Sequence, residues 1–106
     1  KAFRSYYMHG TSHWLGLDVH DAGSYMDGDQ ARPLQEGMVF TVEPGLYIPL
    51  EDEKAPEQFR GIGVRIEDNI AITQNGSENL TAAIPKEIQD VENWVQAEPP
   101  AWVDPA

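Results

Sequence analysis

The chain has 106 residues, enough for one small domain or a piece of one and too few for two independent cores. Seven basic against eighteen acidic residues give a formal net charge of −11, which repels nucleic acid and anionic membrane surfaces and sets both aside as partners. Cysteine is absent, which removes disulfides and thiolate sites and fits a reducing compartment, with the cytoplasm as the default. No apolar run approaches the roughly 20 residues that span a bilayer.

The first stretch, Phe3-Arg4-Ser5-Tyr6-Tyr7-Met8, begins without a cap, turn or initiator Met and reads as a cut chain. Periodicity over so few residues leaves helix and strand both open there. Residues 18–35 hold the turn formers Asp21-Ala22-Gly23-Ser24-Tyr25 and Asp27-Gly28-Asp29 and predict a surface loop ending at Arg32-Pro33. Leu34-Gln35-Glu36-Gly37 then turns tightly into a strand. Residues 38–47 are rich in β-branched and aromatic types but interrupted by Pro44-Gly45, which predicts a strand bent at Glu43, with its carboxylate re-aimed by the bend.

Residues 49–58 are acidic and breaker-rich, hence a loop, and residues 61–73 carry the strongest strand signal, expected as two strands. Val64, Ile66, Ile70 and Ile72 fall on one face of an extended chain, with Arg65, Glu67 and Asn69 on the other. Asn75-Gly76 signals a hairpin turn, with Leu80-Thr81-Ala82-Ala83 as a short returning strand. Pro85 suits a first helical position, and Ile84, Ile88, Val91 and Val95 form an amphipathic stripe that ends before Pro99-Pro100. Ala101 to Ala106 are expected to be a loose terminus. No internal repeat occurs, and the sequons at Asn75 and Asn79 read as chance matches without a secretory context.

Three blocks carry the chemistry: His9-Gly10-Thr11-Ser12-His13-Trp14, Thr41-Val42-Glu43-Pro44-Gly45 and Val64-Arg65-Ile66-Glu67-Asp68. One His and two Glu drawn from separate segments suit a divalent cation poised for hydrolysis. A helical zinc site built on His9 and His13 is disfavoured, because Gly10 stands where that motif needs Glu and glycine weakens a helix interior. Taken alone, both histidines read as packed or capping side chains. His20 completes a set of three histidines within one short segment, which suggests a shared site. Glu43 lies in an apolar strand context, where an unpaired carboxylate is costly to bury, so something cationic should meet it. The same holds for Glu67, for which Arg65 or Arg60 offers a plain ion pair as the alternative. Gly61-Ile62-Gly63 is too short for a dinucleotide fingerprint.

Together the extended blocks His9 to Asp21, Met38 to Tyr47 and Arg60 to Asp68 closely resemble the Xaa-Pro aminopeptidases, also called aminopeptidase P; prolidases and methionine aminopeptidases share the outline less closely. The resemblance runs from the first residues to about Thr81. It implies the pita-bread fold, an α+β architecture of antiparallel sheet and helices around a dinuclear metal centre, with residues 1–83 as the C-terminal half of the catalytic domain and 84–106 as a helix and tail. It implies that His13 and Glu43 ligate one metal ion, that Glu67 bridges two, that His9 helps wall the proline pocket, that His20 hydrogen-bonds the scissile carbonyl, and that Arg65 orients ligands. The metal is expected to be manganese, two ions per intact site, with other divalent metals possible. The substrate is expected to be a peptide with proline at its second position, cleaved by a hydroxide held between the cations.

The family also uses two aspartate ligands from the preceding half, and Asp18, Asp21, Asp27 and Asp29 do not replace them, since they follow His9 in turn contexts. The chain alone is therefore expected to bind metal weakly and to lack turnover, and its uncovered apolar surface is expected to drive self-association. The competing readings are a prolidase-type dipeptidase and a noncatalytic pita-bread binding module; loss of His13, Glu43 or Glu67 would favour the latter, and all three are present.

Overall fold

The computed structural model describes residues 2–97, which form seven short strands and one helix. The strands are β1 (Met26–Asp27), β2 (Gln30–Ala31), β3 (Val39–Val42), β4 (Gly45–Tyr47), β5 (Gly63–Arg65), β6 (Asp68–Thr73) and β7 (Gly76–Asn79), and the helix is α1 (Ile88–Gln96). Single 3-10 turns occupy Ala2–Ser5 and Glu57–Phe59, which settles the open question at the first residues in favour of a helical turn.

All pairing is antiparallel. β6 lies between β3 and β7, β4 pairs with β5, and β1 pairs with β2. Val42 faces Asp68 at the end of the β3–β6 ladder and Gly45 faces Arg65 at the start of β4–β5. Glu43-Pro44 and Ile66-Glu67 therefore lie opposite each other, and both segments break step at the same level. Proline has no N–H to give a ladder, so the pairing lapses there and only Ile66 N–H reaches the Pro44 carbonyl, at 3.1 Å. The expected bend at Glu43 and the expected pair of strands in 61–73 are one feature seen from its two sides.

The segment 11–15 runs along the free edge of β3. Glu43 N–H donates to Thr11 O (2.7 Å), Thr41 N–H to His13 O (2.9 Å) and Leu15 N–H to Val39 O (3.0 Å), with Trp14 bridged to Phe40. This extended path carries His9 and His13, so the two histidines do not share a helix face. Tyr47 N–H donates to Tyr6 O at 2.8 Å, which joins the first residues to β4.

Three expectations need correction. The returning strand is Gly76–Asn79, not 80–83: the turn is only two residues long, Gly76 takes a φ of +136°, and pairing resumes at once with Thr73. Residues 80–83 form a turn because Thr81 is clasped instead, donating through its hydroxyl to Asp68 (2.7 Å) and accepting from Asn69 N–H (3.0 Å). The helix starts at Ile88 rather than at Pro85; Lys86 is held back by bonds to the Thr81 and Ile84 carbonyls (both 2.9 Å) and by an ion pair with Asp68 (3.0 Å), and extended Glu87 precedes the first turn. Within the loop 18–35 a two-residue hairpin forms, β1–β2, because Gly28 adopts a φ of +59° that permits the tight turn. The expected loose terminus at 101–106 lies outside the described residues.

Little of this surface closes into a core. Ala55 is the buried apolar residue among those described, the radius of gyration is 18.0 Å, and a compact domain of about 100 residues would measure about 13 Å. Ile88, Val91 and Val95 of α1 are exposed, and Ile88 and Val91 together with Val64, Ile66 and Ile84 line a largely apolar groove of about 470 Å³ beside β5 that lies open. The acidic loop is held by local polar ties: Arg60 donates to the Ala55 and Glu53 carbonyls (3.0 and 3.1 Å), and the Tyr6 hydroxyl donates to Asp52 (2.7 Å).

The Tyr6 hydrogen bond is the main cause that holds the Asp52 carboxyl below its ordinary value of 3.8, with the Lys54 amide next. A depressed folded value means that this stabilisation is complete above about pH 4 and is lost as pH falls through the folded value. Tyr6→Phe should therefore lower the melting temperature near neutrality and flatten its decline on acidification below about pH 4, measured by thermal melts across pH. Parallel curves for the two proteins would contradict this.

Candidate metal centre

The site forms where these two segments break step. Glu43, 6% exposed, is one of the most buried residues described, and Thr41, 1% exposed, lies two positions before it on the same face of β3. The Thr41 hydroxyl accepts from His13 N–H (3.1 Å) and donates to Glu43 Oε1 (2.9 Å). One small side chain thus ties the β3 edge to the carboxylate.

His13 Nδ1 lies 2.9 Å from the Trp14 carbonyl, which can only accept, so Nδ1 carries hydrogen. His13 Nε2 then points at Glu43 Oε1, 2.9 Å away. On a neutral ring that nitrogen presents a lone pair to a carboxylate oxygen, an arrangement that needs a cation: a second proton on the ring or a metal ion. Glu67 brings a third donor, and the ligand atoms of His13, Glu43 and Glu67 all lie within 4.8 Å of one another. Neighbouring ligands around an octahedral ion at about 2.1 Å sit about 3 Å apart, which the His13–Glu43 separation matches. One imidazole and two carboxylates form a donor set of intermediate hardness, suited to manganese or zinc more than to thiophilic metals.

Glu43 Oε2 faces Arg65 Nη1 at 3.6 Å, and Arg65 Nε donates to the Tyr47 hydroxyl at 2.6 Å. That hydrogen bond is the largest cause raising the Arg65 guanidinium above its ordinary value, and Glu43 and Glu67 add to it against a desolvation effect of opposite sign. The cationic partner expected for Glu43 is therefore Arg65 together with the His13 side. The ion pair considered for Glu67 is not formed: among the described residues Glu67 has no such partner, Arg60 being committed to its own loop.

His9 sits one step further along the same line. Its Nδ1 is 2.7 Å from the Gly10 carbonyl and its Nε2 is 2.7 Å from the Tyr47 hydroxyl, so Nδ1 carries hydrogen and Tyr47 donates to Nε2 while accepting from Arg65. Tyr7 and Tyr47 flank the imidazole edge-on at 4.9 and 5.4 Å. His20 is exposed, and its ring lies against His13 at 4.4 Å between centroids. All six residues singled out in the sequence thus sit in one connected cluster. Tyr47 was missed: it reads as one more aromatic of a strand, and only the β4–β5 register, which sets it two pairs from Arg65, gives it a polar role.

Residues 1–74 match metallopeptidase family M24. The chain belongs to that family. It is 62% identical over 93 residues to the Xaa-Pro aminopeptidase of Haemophilus influenzae, covering 88% of this chain and 21% of that protein. Among solved structures it is similar to Escherichia coli aminopeptidase P with the inhibitor Pro-Leu (59% identity, TM-score 0.78) and to the zinc-substituted form of that enzyme in complex with product (59% identity, TM-score 0.78); each likeness covers 87% of this chain and 20% of the other. The chain spans about a fifth of the length of the curated relatives it matches. Its small antiparallel sheets and single described helix are part of the M24 pita-bread domain, and the resemblance to Xaa-Pro aminopeptidases read from the three blocks holds.

Thr41→Val should expose the cost of this buried polar tie. It removes the acceptor of His13 N–H and a donor to Glu43 without changing volume much, so a loss of about 1–3 kcal/mol in urea unfolding is expected, together with weaker Zn2+ or Mn2+ binding by titration calorimetry. Thr41→Ser should recover most of both; equal loss with serine would contradict the hydroxyl's role.

Proposed function

We propose that this segment is the C-terminal half of the pita-bread domain of an Xaa-Pro aminopeptidase and supplies one wall of its two-metal site. The observation that carries this is the convergence of His13, Glu43 and Glu67 at the shared break in the sheets, with His9 and His20 beside them. His13 and Glu43 would hold one ion and Glu67 would bridge two, with manganese the proposed metal. Bound divalent cations supply an activated water and stabilise negative charge on the scissile carbonyl.

The chain's own residues do the positioning. Thr41 and Arg65 fix the two oxygens of Glu43, and the Trp14 carbonyl fixes the tautomer of His13. His20, exposed beside His13, is free to donate to a carbonyl oxygen and to the charge that develops on it. His9, immobilised between Gly10 O and Tyr47, offers a ring wall to a proline side chain that has no N–H to recognise. Binding of Pro-Leu by the related Escherichia coli enzyme supports a proline pocket of this kind. Three donors are too few for two ions, so the remaining ligands would come from outside this sequence. The chain alone would bind metal weakly, and its open apolar groove would favour self-association. The cysteine-free composition keeps the cytoplasm as the proposed compartment.

The test is hydrolysis of an Xaa-Pro peptide. The full-length enzyme that contains this segment should release the first residue only with a divalent metal present, and Glu67→Gln should cut kcat/KM by roughly a thousandfold or more. The 106-residue chain should show no turnover. Undiminished activity in Glu67→Gln, or metal-dependent cleavage by the chain alone, would overturn the reading.

A further inference from the structure

We propose that Trp14 is the positioning residue for His20, its carbonyl and its indole together setting where that imidazole stands against His13. This rests on the reading above, in which His20 assists at the scissile carbonyl.

The segment that carries His20 cannot be held by burial. Leu17 is 100% exposed, and Val19 and His20 are exposed as well. Its ties converge on one residue. On one side of His20, the Asp21 amide donates to the Trp14 carbonyl at 3.1 Å, and the same oxygen receives His13 Nδ1–H at 2.9 Å. The His13 ring and the backbone next to His20 therefore hang from a single acceptor. Beyond Asp21, the Trp14 indole N–H donates to the Ser24 carbonyl at 3.2 Å, and the indole stacks on Tyr25 with 15° between planes and 5.6 Å between centroids. Phe40 of β3 meets the indole edge-on at 6.1 Å, so this anchor is fixed to the strand that presents Thr41.

Gly23 shows how close the contact is. A Cβ there would stand 2.8 Å from Trp14 Cδ1 and 3.2 Å from Nε1, so any side chain must push the indole or the loop aside. The result of these ties is the 4.4 Å separation of the His13 and His20 rings, with 65° between their planes. Misplacement of a catalytic group by about 1 Å is worth up to about a hundredfold in rate, and a loop with no core of its own depends on its ties for that tolerance.

The experiment uses the full-length enzyme, with Gly23→Ala and Trp14→Phe made alone and in combination with His20→Ala. Trp14→Phe keeps a ring for Tyr25 and Phe40 but removes the indole N–H; Gly23→Ala leaves the indole in place and crowds it. Each should lower kcat roughly ten- to a hundredfold with KM and bound metal little changed. Neither should have a further effect once His20 is alanine, because a residue that acts through His20 has nothing left to position. Equal losses in both backgrounds, or unchanged kcat, would overturn the proposal. Amide hydrogen exchange across residues 16–25 supplies an arm independent of peptidase activity: Gly23→Ala should speed exchange there, and unchanged exchange would also overturn it. A wild-type enzyme inactive on Xaa-Pro peptides would refute the functional reading, while the exchange result would still decide the role of Trp14.

Discussion

The structure depends on a carboxylate placed where the sheet cannot continue. Glu43 is buried at the end of β3, one residue before a proline that ends the ladder, and it faces the equivalent lapse at Ile66-Glu67. Burying an ionised carboxylate costs several kcal/mol unless cationic and hydrogen-bonding partners meet it. Each neighbouring segment contributes to that requirement: Thr41 from β3, His13 from the edge segment and Arg65 from β5. The break that interrupts hydrogen bonding thus gathers three chain segments around one charge, which is also what a metal site needs.

From this point a polar line runs outward through Arg65, the Tyr47 hydroxyl and His9, each bond's donor and acceptor fixed by the next. Gly10 and Trp14 carbonyls anchor the two ends by fixing which nitrogen of His9 and of His13 carries hydrogen. Such a line orients its members without an apolar core. That matters here, because Thr41 and Glu43 are buried while the apolar faces of α1 and β5 lie open. The segment's order is carried by backbone pairing and polar ties, in keeping with a piece that spans about a fifth of its relatives' length.

Much of this was legible in the sequence. The bend at Pro44-Gly45 and the two strands in 61–73 follow from proline chemistry and strand propensity, which act locally. That these six residues would lie together was legible because their types and order resemble a known family and because a buried carboxylate demands a partner. The returning strand and the helix start were not, since both turn on a tertiary clasp: Lys86 and Thr81 bind Asp68, and nothing local to residues 80–87 announces that partner. The β1–β2 hairpin was hidden because two-residue strands have no periodicity to read. Tyr47 was hidden because its role comes from the register between β4 and β5.

Whether Glu43 and its neighbours hold metal decides what this cluster is for. The most direct measurement is the number of manganese ions retained by the full-length enzyme after dialysis, counted by elemental analysis in the wild type and in Glu43→Ala and Glu67→Ala. About two ions per wild-type active site and a clear loss in each variant are expected, with Glu67→Ala, which would remove the proposed bridging carboxylate, at least as depleted as Glu43→Ala. Full manganese occupancy in both variants would show that the cluster is an ion-pair network and not a metal centre.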